Sequence, residues 1–404
     1  MPTTPRKPLP QGVFALGLVS FLSDVASDMI YPLLPDFLTR TLHAGPAALG
    51  LIEGVAEATA SLMKAVSGWW SDRARRRKPL VVLGYSVATV ARPLVGLASS
   101  WAQVLAIRFA DRVGKGIRTS PRDALLADIV PEGERGRAYG LQRAMDNAGA
   151  VAGPLLAAFL LRYVFADERP VFLLAAIPGI VAILVLIARV REAPRAGSAA
   201  APSPRRPPAV PAALPGRLRT AIAIFAVFAL ASSTDAFLLL KAGDSGIPLW
   251  QIPLLWAAFH AVKAAAGVPG GVLADRMGHV RTILLGWAVY AAAYVGFAFA
   301  ATPAQVWGLF GFYALFYALT EGAERALVAD LARGEARGRA FGAFHASVGL
   351  ASLPASLLFG LWWKAFGPRT AFLVGAAIAL SAAAALVIWS ARTPRTAGPT
   401  AAAP

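Results

Sequence analysis

The stretch GWWSDR at residues 68–73 recurs as GVLADR at residues 271–276, an offset of 203 positions. A second stretch, RGRAYG at residues 135–140, recurs as RGRAFG at residues 337–342, an offset of 202 positions. Each copy of the first stretch follows a long apolar run. Because two independent matches share almost the same offset, the chain is predicted to consist of two duplicated halves.

Apolar runs dominate the chain. Residues of the set AVILMFWYC make up 57% of the 404 residues, charged residues only 15%, and the mean hydropathy is +0.58. Soluble domains carry about a quarter charged residues, whereas a membrane-spanning helix needs about 20 mostly apolar residues. The runs lack the alternation of strands and are rich in Ala, Leu and Gly. The sequence therefore predicts an all-α membrane protein with about twelve spans, near residues 12–38, 46–70, 80–98, 101–126, 138–162, 171–189, 219–241, 250–274, 282–301, 304–329, 340–364 and 370–390.

The chain lacks the residues that several kinds of chemistry require. It has no cysteine and only four histidines, at positions 43, 260, 279 and 345. A disulfide framework and a thiol nucleophile are therefore excluded, and no metal site is predicted. No G-x-x-x-x-G-K-S/T phosphate loop is present, so we expect neither direct ATP drive nor a cofactor. The first run is too long for a cleaved signal peptide and carries two aspartates.

Basic residues mark the topology of the spans. The formal net charge is +17. With a cytoplasmic N-terminus, most Lys and Arg residues fall in the cytoplasmic breaks. No basic face is interleaved with aromatic residues, so we predict no nucleic-acid partner. Both termini are predicted to be cytoplasmic, in the cytoplasmic (inner) membrane. The predicted domains are a first six-helix bundle (1–189), a cytoplasmic linker rich in Pro, Arg and Ala (190–218), a second six-helix bundle (219–392) and a disordered tail (393–404).

The repeated stretch resembles the signature G-x-x-x-D-R-x-G-R-R of the major facilitator superfamily. The first copy fits at Gly68, Asp72, Arg73, Arg76 and Arg77, although an arginine, Arg75, stands where a glycine is usual. The second copy fits at Gly271, Asp275 and Arg276. The resemblance covers nearly the whole chain. It implies two pseudo-symmetric bundles of six helices that rock around a central cavity, with the substrate site between them.

A further motif lies on the fifth span. Residues 149–154, GAVAGP, resemble the motif that the family associates with antiporters, although Ala157 and Ala158 replace its closing glycines. The resemblance implies antiport. In physical terms, Gly149, Gly153 and Pro154 would bend this span and allow tight packing. An ordinary interface of small residues explains them equally well.

The signature residues are expected to form a gate. Gly68 and Gly271 would let a neighbouring helix approach closely. Asp72 and Asp275 are expected to accept hydrogen bonds at the N-terminus of an adjacent helix, where the helix dipole favours an anion. The arginines are expected to pair with carboxylates and to latch the cytoplasmic side. The alternative is that these charges only fix the topology.

Two pairs of carboxylates within the spans are candidates for proton coupling. A charge at membrane depth costs roughly 2.5–3.5 kcal/mol on insertion scales. Asp24 and Asp28 lie four residues apart and share a helical face, as do Glu53 and Glu57. Two carboxylates in a low dielectric cannot both ionise cheaply, so at least one of them is predicted to carry a proton.

The remaining charges within the spans are predicted to be partners or ligands. Helical spacing predicts that Arg143 pairs with Asp146 and that Glu321 pairs with Arg325. The expected counter-charges of the four carboxylates are Arg108 and Arg112. Further candidates for substrate binding are Arg92, His260 and Lys263.

These features predict a monomeric secondary transporter of a small molecule, embedded in the lipid bilayer, and no enzyme activity. The proton gradient is the expected energy source, and sodium remains open. Efflux of amphipathic compounds by antiport is the leading hypothesis. Its rival is uptake of an organic anion, with Arg92, Arg108 or Lys263 as the anion's partner. A non-transporting receptor or a membrane enzyme is a remote alternative, because the loops are short and no G-x-G-D motif is present.

Overall fold

A computed structural model describes residues 9–74, 76–192, 214–332 and 336–392. Most of the predicted linker, the whole of the predicted tail and Arg75 lie outside the described residues. The described residues are almost entirely helical and contain no strand.

Long helical segments run through the described chain in the order α1 (Gln11–Asp28), α2 (Pro46–Arg73), α3 (Lys78–Leu94), α4 (Trp101–Ile129), α5 (Arg135–Tyr163), α6 (Arg169–Arg189), α7 (Gly216–Asp244), α8 (Gln251–Met277), α9 (His279–Phe299), α10 (Pro303–Leu331), α11 (336–366) and α12 (368–391). The last two are the arms of one helix, Ala336–Ala391, which turns at Gly367, where φ is +83°. Short helical turns continue α1 as far as Thr41. The first half of the molecule is α1 to α6, and the second half is α7 to α12.

Eight helices in the described ranges are long and apolar enough to cross a membrane, with Gly338–Ala391 counted as one of them. The helices α2, α4 and α10 are equally long but do not belong to that set, and α4 carries charged residues along most of its length. The predicted all-α membrane fold is confirmed. With the last helix divided at Gly367, the segments correspond to the predicted spans, whereas the number that crosses the bilayer remains a prediction.

Matching caps begin α4 and α10, the fourth helix of each half. The Oγ atom of Ser100 accepts the backbone N–H of Gln103 at 3.4 Å, and the Gln103 side chain accepts the N–H of Ser99 at 2.8 Å. In the same way, the Oγ1 atom of Thr302 accepts the N–H of Gln305 at 3.4 Å, and the Gln305 side chain accepts the N–H of Ala301 at 2.8 Å. Both caps satisfy N–H groups that have no partner within the helix. The internal duplication is therefore visible in local structure as well as in sequence.

The glycines of the fifth span bring α5 against α1. A Cβ atom at Gly149 would lie 2.5 Å from the carbonyl oxygen of Phe21, and one at Gly153 would lie 2.5 Å from that of Val25. Only glycine permits backbones to approach so closely. The helix α5 continues through Pro154 without a break. The predicted tight packing is thus present, and any bend at Pro154 leaves the helix intact.

The two halves meet at one end of the bundle and separate at the other. The end that carries Arg40 and Gly243 is termed the opposite end, because it lies opposite the end where the linker joins the two halves. At this end, the Arg40 Nη2 atom donates to the carbonyl oxygen of Gly243 at 2.8 Å. Nearby, α2 packs on α11, where Gly50 faces the Ser356 carbonyl. At the end that carries Arg189 and Gly216, here termed the linker end, the glycines Gly267 and Gly271 have no neighbouring atom within 4 Å of a Cβ position. The molecule is therefore closed at the opposite end and open at the linker end.

This packing makes a prediction for Gly50→Val. The added side chain would overlap the Ser356 carbonyl, so we expect it to wedge the opposite end open. Because the chain has no cysteine, a single cysteine in place of Thr234, which lines the cavity behind this contact, can report access. We expect membrane-impermeant maleimide, added from the opposite side, to label it faster in Gly50→Val. Gly45→Val is the matched control, because a Cβ there meets nothing within 4 Å; equal labelling in both would refute the assignment of the closed end.

Candidate functional site

A cavity of about 640 Å³ lies between the two halves. Its walls come from both halves, and most of its lining residues are charged or hydroxylic. The predicted site residues that line it are Asp24, Asp28, Glu53, Glu57, Arg112, His260 and Lys263. The structure thus brings seven of the nine predicted coupling and binding residues to one space; Arg92 and Arg108 lie outside its lining.

The four candidate carboxylates have different surroundings. Asp28 accepts a hydrogen bond from the Trp256 indole nitrogen of the second half, at 3.1 Å. Within the described residues, Asp24 and Glu57 make no hydrogen bond or ion pair, although both face the cavity. Glu53 is 5% exposed, and its Oε1 atom accepts both the Nε and Nη2 groups of Arg108, at 3.0 and 2.7 Å. Asp24, Asp28 and Glu57 are therefore accessible to a solute, whereas Glu53 is held in a buried pair.

A buried network of charges joins the first four helices. The Nε atom of Arg92 lies 2.9 Å from Asp111, and its Nη1 atom donates to the Ser23 carbonyl at 3.0 Å. Arg108 binds Glu53 and lies 3.6 Å from Asp111, and Arg112 lies 3.9 Å from the same carboxylate. Such pairs compensate the cost of burying each charge. Arg92 and Arg108 therefore hold the first half together, and of the three arginines only Arg112 faces the cavity.

An ion-pair network connects the halves across the cavity. The Nη2 atom of Arg143, on α5, lies 2.8 Å from Glu321 on α10, and the Nζ atom of Lys263, on α8, lies 2.6 Å from the same carboxylate. The predicted pairs within single helices were wrong, because Glu321 turns toward the other half and Asp146 lies 3.9 Å from Arg122 instead. Lys263 is thus already partnered.

His260 lies beside the floor of the cavity. Its ring packs edge-on against Trp256, with centroids 4.7 Å apart, and Trp256 in turn contacts Tyr31 of the first half at 5.1 Å. Within the described chain, the Nε2 atom of His260 has no hydrogen-bond partner. A role for His260 in substrate binding stays a prediction.

Sequence reasoning missed Asp235. The helix α7 is interrupted at residues 232–235, and Asp235 accepts hydrogen bonds from the hydroxyl groups of Tyr313 and Tyr317, at 2.7 and 2.9 Å. The carboxylate lines the cavity. The signal was available in the polar run SSTD within an otherwise apolar segment, and polar runs at membrane depth mark binding sites between repeats.

One signature arginine pairs with a carboxylate as expected, whereas Asp72 does not take its expected position. Arg77 pairs with Asp128 at 2.6 Å, while Asp72 lies 4.0 Å from Arg77 with its side chain 77% exposed. The anion at the N-terminus of α3 is Glu192, which accepts the backbone N–H groups of Arg77 and Lys78 at 2.6 and 2.9 Å. The prediction for Asp72 was wrong because Glu192, just beyond the end of α6, occupies that helix terminus.

The rest of the signature is exposed in this open arrangement. Arg73 lies over the Trp69 ring at 3.9 Å, and Arg76 is exposed. Gly68 has ordinary contact with Ser120, at 3.7 Å from a Cβ position, whereas the close approach expected at Gly271 occurs at Gly270, against α10. Within the described ranges, Asp275 and Arg276 make no hydrogen bond or ion pair. The second copy of the signature is therefore unengaged when the linker end is open.

In the part of the chain that the structure describes, no group of three His, Asp or Glu side chains is arranged to hold a metal ion.

The buried network makes a stability prediction. Replacing Asp111 with Asn leaves Arg92 without its carboxylate in an apolar interior, so we expect a loss of about 3–5 kcal/mol in the free energy of unfolding. Glu57→Gln is the matched control, because Glu57 is exposed to the cavity and unpaired; its expected effect is about 0.5 kcal/mol. Reversible unfolding in mixed detergent micelles measures both. Equal stability of the two variants would contradict a structural role for the network.

Comparison with known proteins agrees with this architecture. The model of the Major Facilitator Superfamily matches residues 16–315 and 220–404. An uncharacterised MFS-type transporter of Methanocaldococcus jannaschii is 34% identical over 380 residues, covering 92% of this chain and 93% of that protein. The multidrug resistance protein MdtH of Yersinia enterocolitica is 28% identical over 155 residues, 38% of each chain.

The fold is shared with solved transporter structures. One is a bacterial homologue of the human lysosomal transporter Spinster, in an inward-facing and occupied conformation. It superposes with a TM-score of 0.74 at 18% identity, over 94% of this chain and 96% of that one. With two related halves, a charged cavity between them and these matches along its length, the chain belongs to the major facilitator superfamily of membrane transporters.

Proposed function

We propose that the protein exports an amphipathic small molecule in exchange for protons. The observation that carries this proposal is the hydrogen bond from Trp256 to Asp28. Of the four candidate carboxylates, only Asp28 forms a hydrogen bond to the other half within the described residues. A change in its protonation would therefore act directly on the interface that must rearrange during alternating access.

The pair Asp24 and Asp28 supports proton coupling. Both line the cavity, neither has a basic partner within ion-pair distance in the described chain, and they share one face of α1. Two carboxylates on one helical face in a low dielectric repel each other when both are charged, so we propose that this pair carries the coupling proton. A cationic solute and protons would compete for them, which is the requirement for antiport. Sodium competes for carboxylates as well, and a sodium gradient without a pH gradient tests that possibility.

The packing of α5 against α1 supports export as the direction of transport. The glycines Gly149 and Gly153 pack α5 directly on the face of α1 that carries Asp24, where a Cβ at Gly149 would lie 3.0 Å from the Asp24 Cβ. The antiporter motif therefore adjoins the proposed coupling pair. The partial match to a multidrug resistance protein points the same way. We further propose that the protein acts as a monomer in the cytoplasmic membrane, with both termini cytoplasmic and no enzyme activity.

A second candidate is uptake of an organic anion with protons. Specific residues favour it: Lys64, Lys115 and Arg112 line the same cavity, and the two lysine side chains make no ion pair within the described residues. They form a cationic patch on the first half. Arg92 and Arg108 do not contribute to it, because both are buried in the structural network. The sign of the coupled proton movement separates the two candidates.

The proposal predicts the behaviour of Asp28→Asn and Asp24→Asn in proteoliposomes that contain a pH-sensitive dye. For the wild type, we expect an outward gradient of a lipophilic cation to drive protons inward. Each variant should lose this proton movement, because an amide carries no proton, yet still exchange labelled solute for unlabelled solute.

Asp244→Asn is the control, because Asp244 is exposed at the opposite end, and it should retain full coupling. Full coupling in both cavity variants would exclude α1 as the coupling helix. Protons that move together with an anion would favour uptake.

A further inference from the structure

A side pocket of about 160 Å³ extends from the central cavity into the second half. Ser232, Tyr317, Glu321 and Ser352 line both spaces, so the pocket opens from the cavity. Its inner wall consists of Phe225, Phe228 and Phe316, together with the carboxyl group of Glu324.

Glu324 is a carboxyl group within the helical bundle that has no basic side chain as a partner among the described residues. Its partner is the indole N–H of Trp287, at a long distance of 3.3 Å. No Lys, Arg or His nitrogen lies within 4.0 Å of it in the described parts of the chain, and the adjacent Arg325 is exposed. An ionisable group that the membrane interior does not pair is costly to retain and indicates a functional role. The packing of the protein alone does not require a carboxylate here.

The pocket belongs to the second half alone. The position equivalent to Glu324, at the repeat offset of 202, is Arg122. Arg122 binds Asp123 at 3.0 Å and the Ser20 hydroxyl at 3.0 Å, and so lies within a satisfied polar network. The two halves therefore differ at this site: the first has a paired cation, and the second has, among aromatic rings, a carboxyl group without a basic partner in the described chain.

The walls define the chemistry of a ligand. A cavity of roughly 150 Å³ with apolar walls holds one benzene ring. The Phe228 ring stacks on Trp287 at 4.3 Å with an interplanar angle of 3°, which makes a flat aromatic wall next to the carboxylate. Aromatic faces and a carboxylate together attract an ammonium group attached to an apolar body.

We propose that this side pocket binds the arylalkyl-ammonium end of the transported solute, with Glu324 as the partner of the ammonium group. The inference deepens the proposed function, because it names protonated aromatic amines as the substrate class of an exporter. The remainder of the solute lies in the central cavity, where the Arg143–Glu321–Lys263 network borders the mouth of the pocket.

Ligand binding to the purified full-length chain in detergent tests this proposal without any transport step. The probes are benzylammonium, benzyl alcohol and benzoate, titrated by saturation-transfer NMR. We expect wild-type protein to bind benzylammonium, and Glu324→Gln to bind it about 10- to 100-fold more weakly. The amide oxygen of Gln can still accept the Trp287 hydrogen bond, so the fold should be preserved. Asp330→Asn, an exposed carboxyl-to-amide change on the same helix, should bind like the wild type.

Ser352→Phe provides a second variant that leaves Glu324 in place. It should fill the mouth of the pocket and abolish benzylammonium binding. The proposal would be overturned if the wild type bound all three probes equally, preferred benzoate or did not bind benzylammonium. It would also be overturned if benzylammonium binding were unchanged in Glu324→Gln or in Ser352→Phe. The binding measurement uses no proton gradient. A failure of proton coupling in vesicles would therefore contradict the proposed function and leave this binding result unaffected.

Discussion

The structure depends on the requirement that charges within an apolar helical bundle find partners. Arg92, Arg108, Asp111 and Glu53 come from three different helices, and Arg92 also binds the Ser23 carbonyl of α1. Breaking one such pair would leave a charge unsatisfied in the interior. The network therefore fixes the first four helices relative to one another. Charged residues that face the cavity without a partner must then be explained by a ligand or a proton.

The two halves are related by duplication, but different interactions hold each of them together. The first half is held together by ion pairs, whereas the second half is packed with aromatic rings, among them Phe228, Trp287, Tyr290 and Tyr313. Contacts between the two halves are concentrated at the opposite end and at the network around Glu321. A rocking movement has to break few interactions, because large parts of both inner faces already border the cavity.

The helices, the duplication and the placement of the α1 carboxylates could be predicted from the sequence, because these features follow from local patterns. Apolar run lengths predict helices, and the four-residue spacing of Asp24 and Asp28 places both on one face. Partners across helices were not predictable in this way. Arg143 binds Glu321 rather than Asp146, and Glu192 rather than Asp72 occupies the N-terminus of α3. Both outcomes depend on which faces meet after packing. Glu324 was overlooked as a site residue for the same reason, whereas the polar run SSTD was a local signal for Asp235.

The central claim is that closure at the opposite end and opening at the linker end alternate under the control of protons. Electron–electron distance measurements on the naturally cysteine-free chain test it most directly. One spin-label pair replaces His43 and Asp244 at the opposite end, and the other replaces Gly140 and Gly342 at the linker end, all exposed positions. On lowering the pH in vesicles, the account predicts that the first distance lengthens while the second shortens. Distances that stay constant, or that change in the same direction, would contradict it.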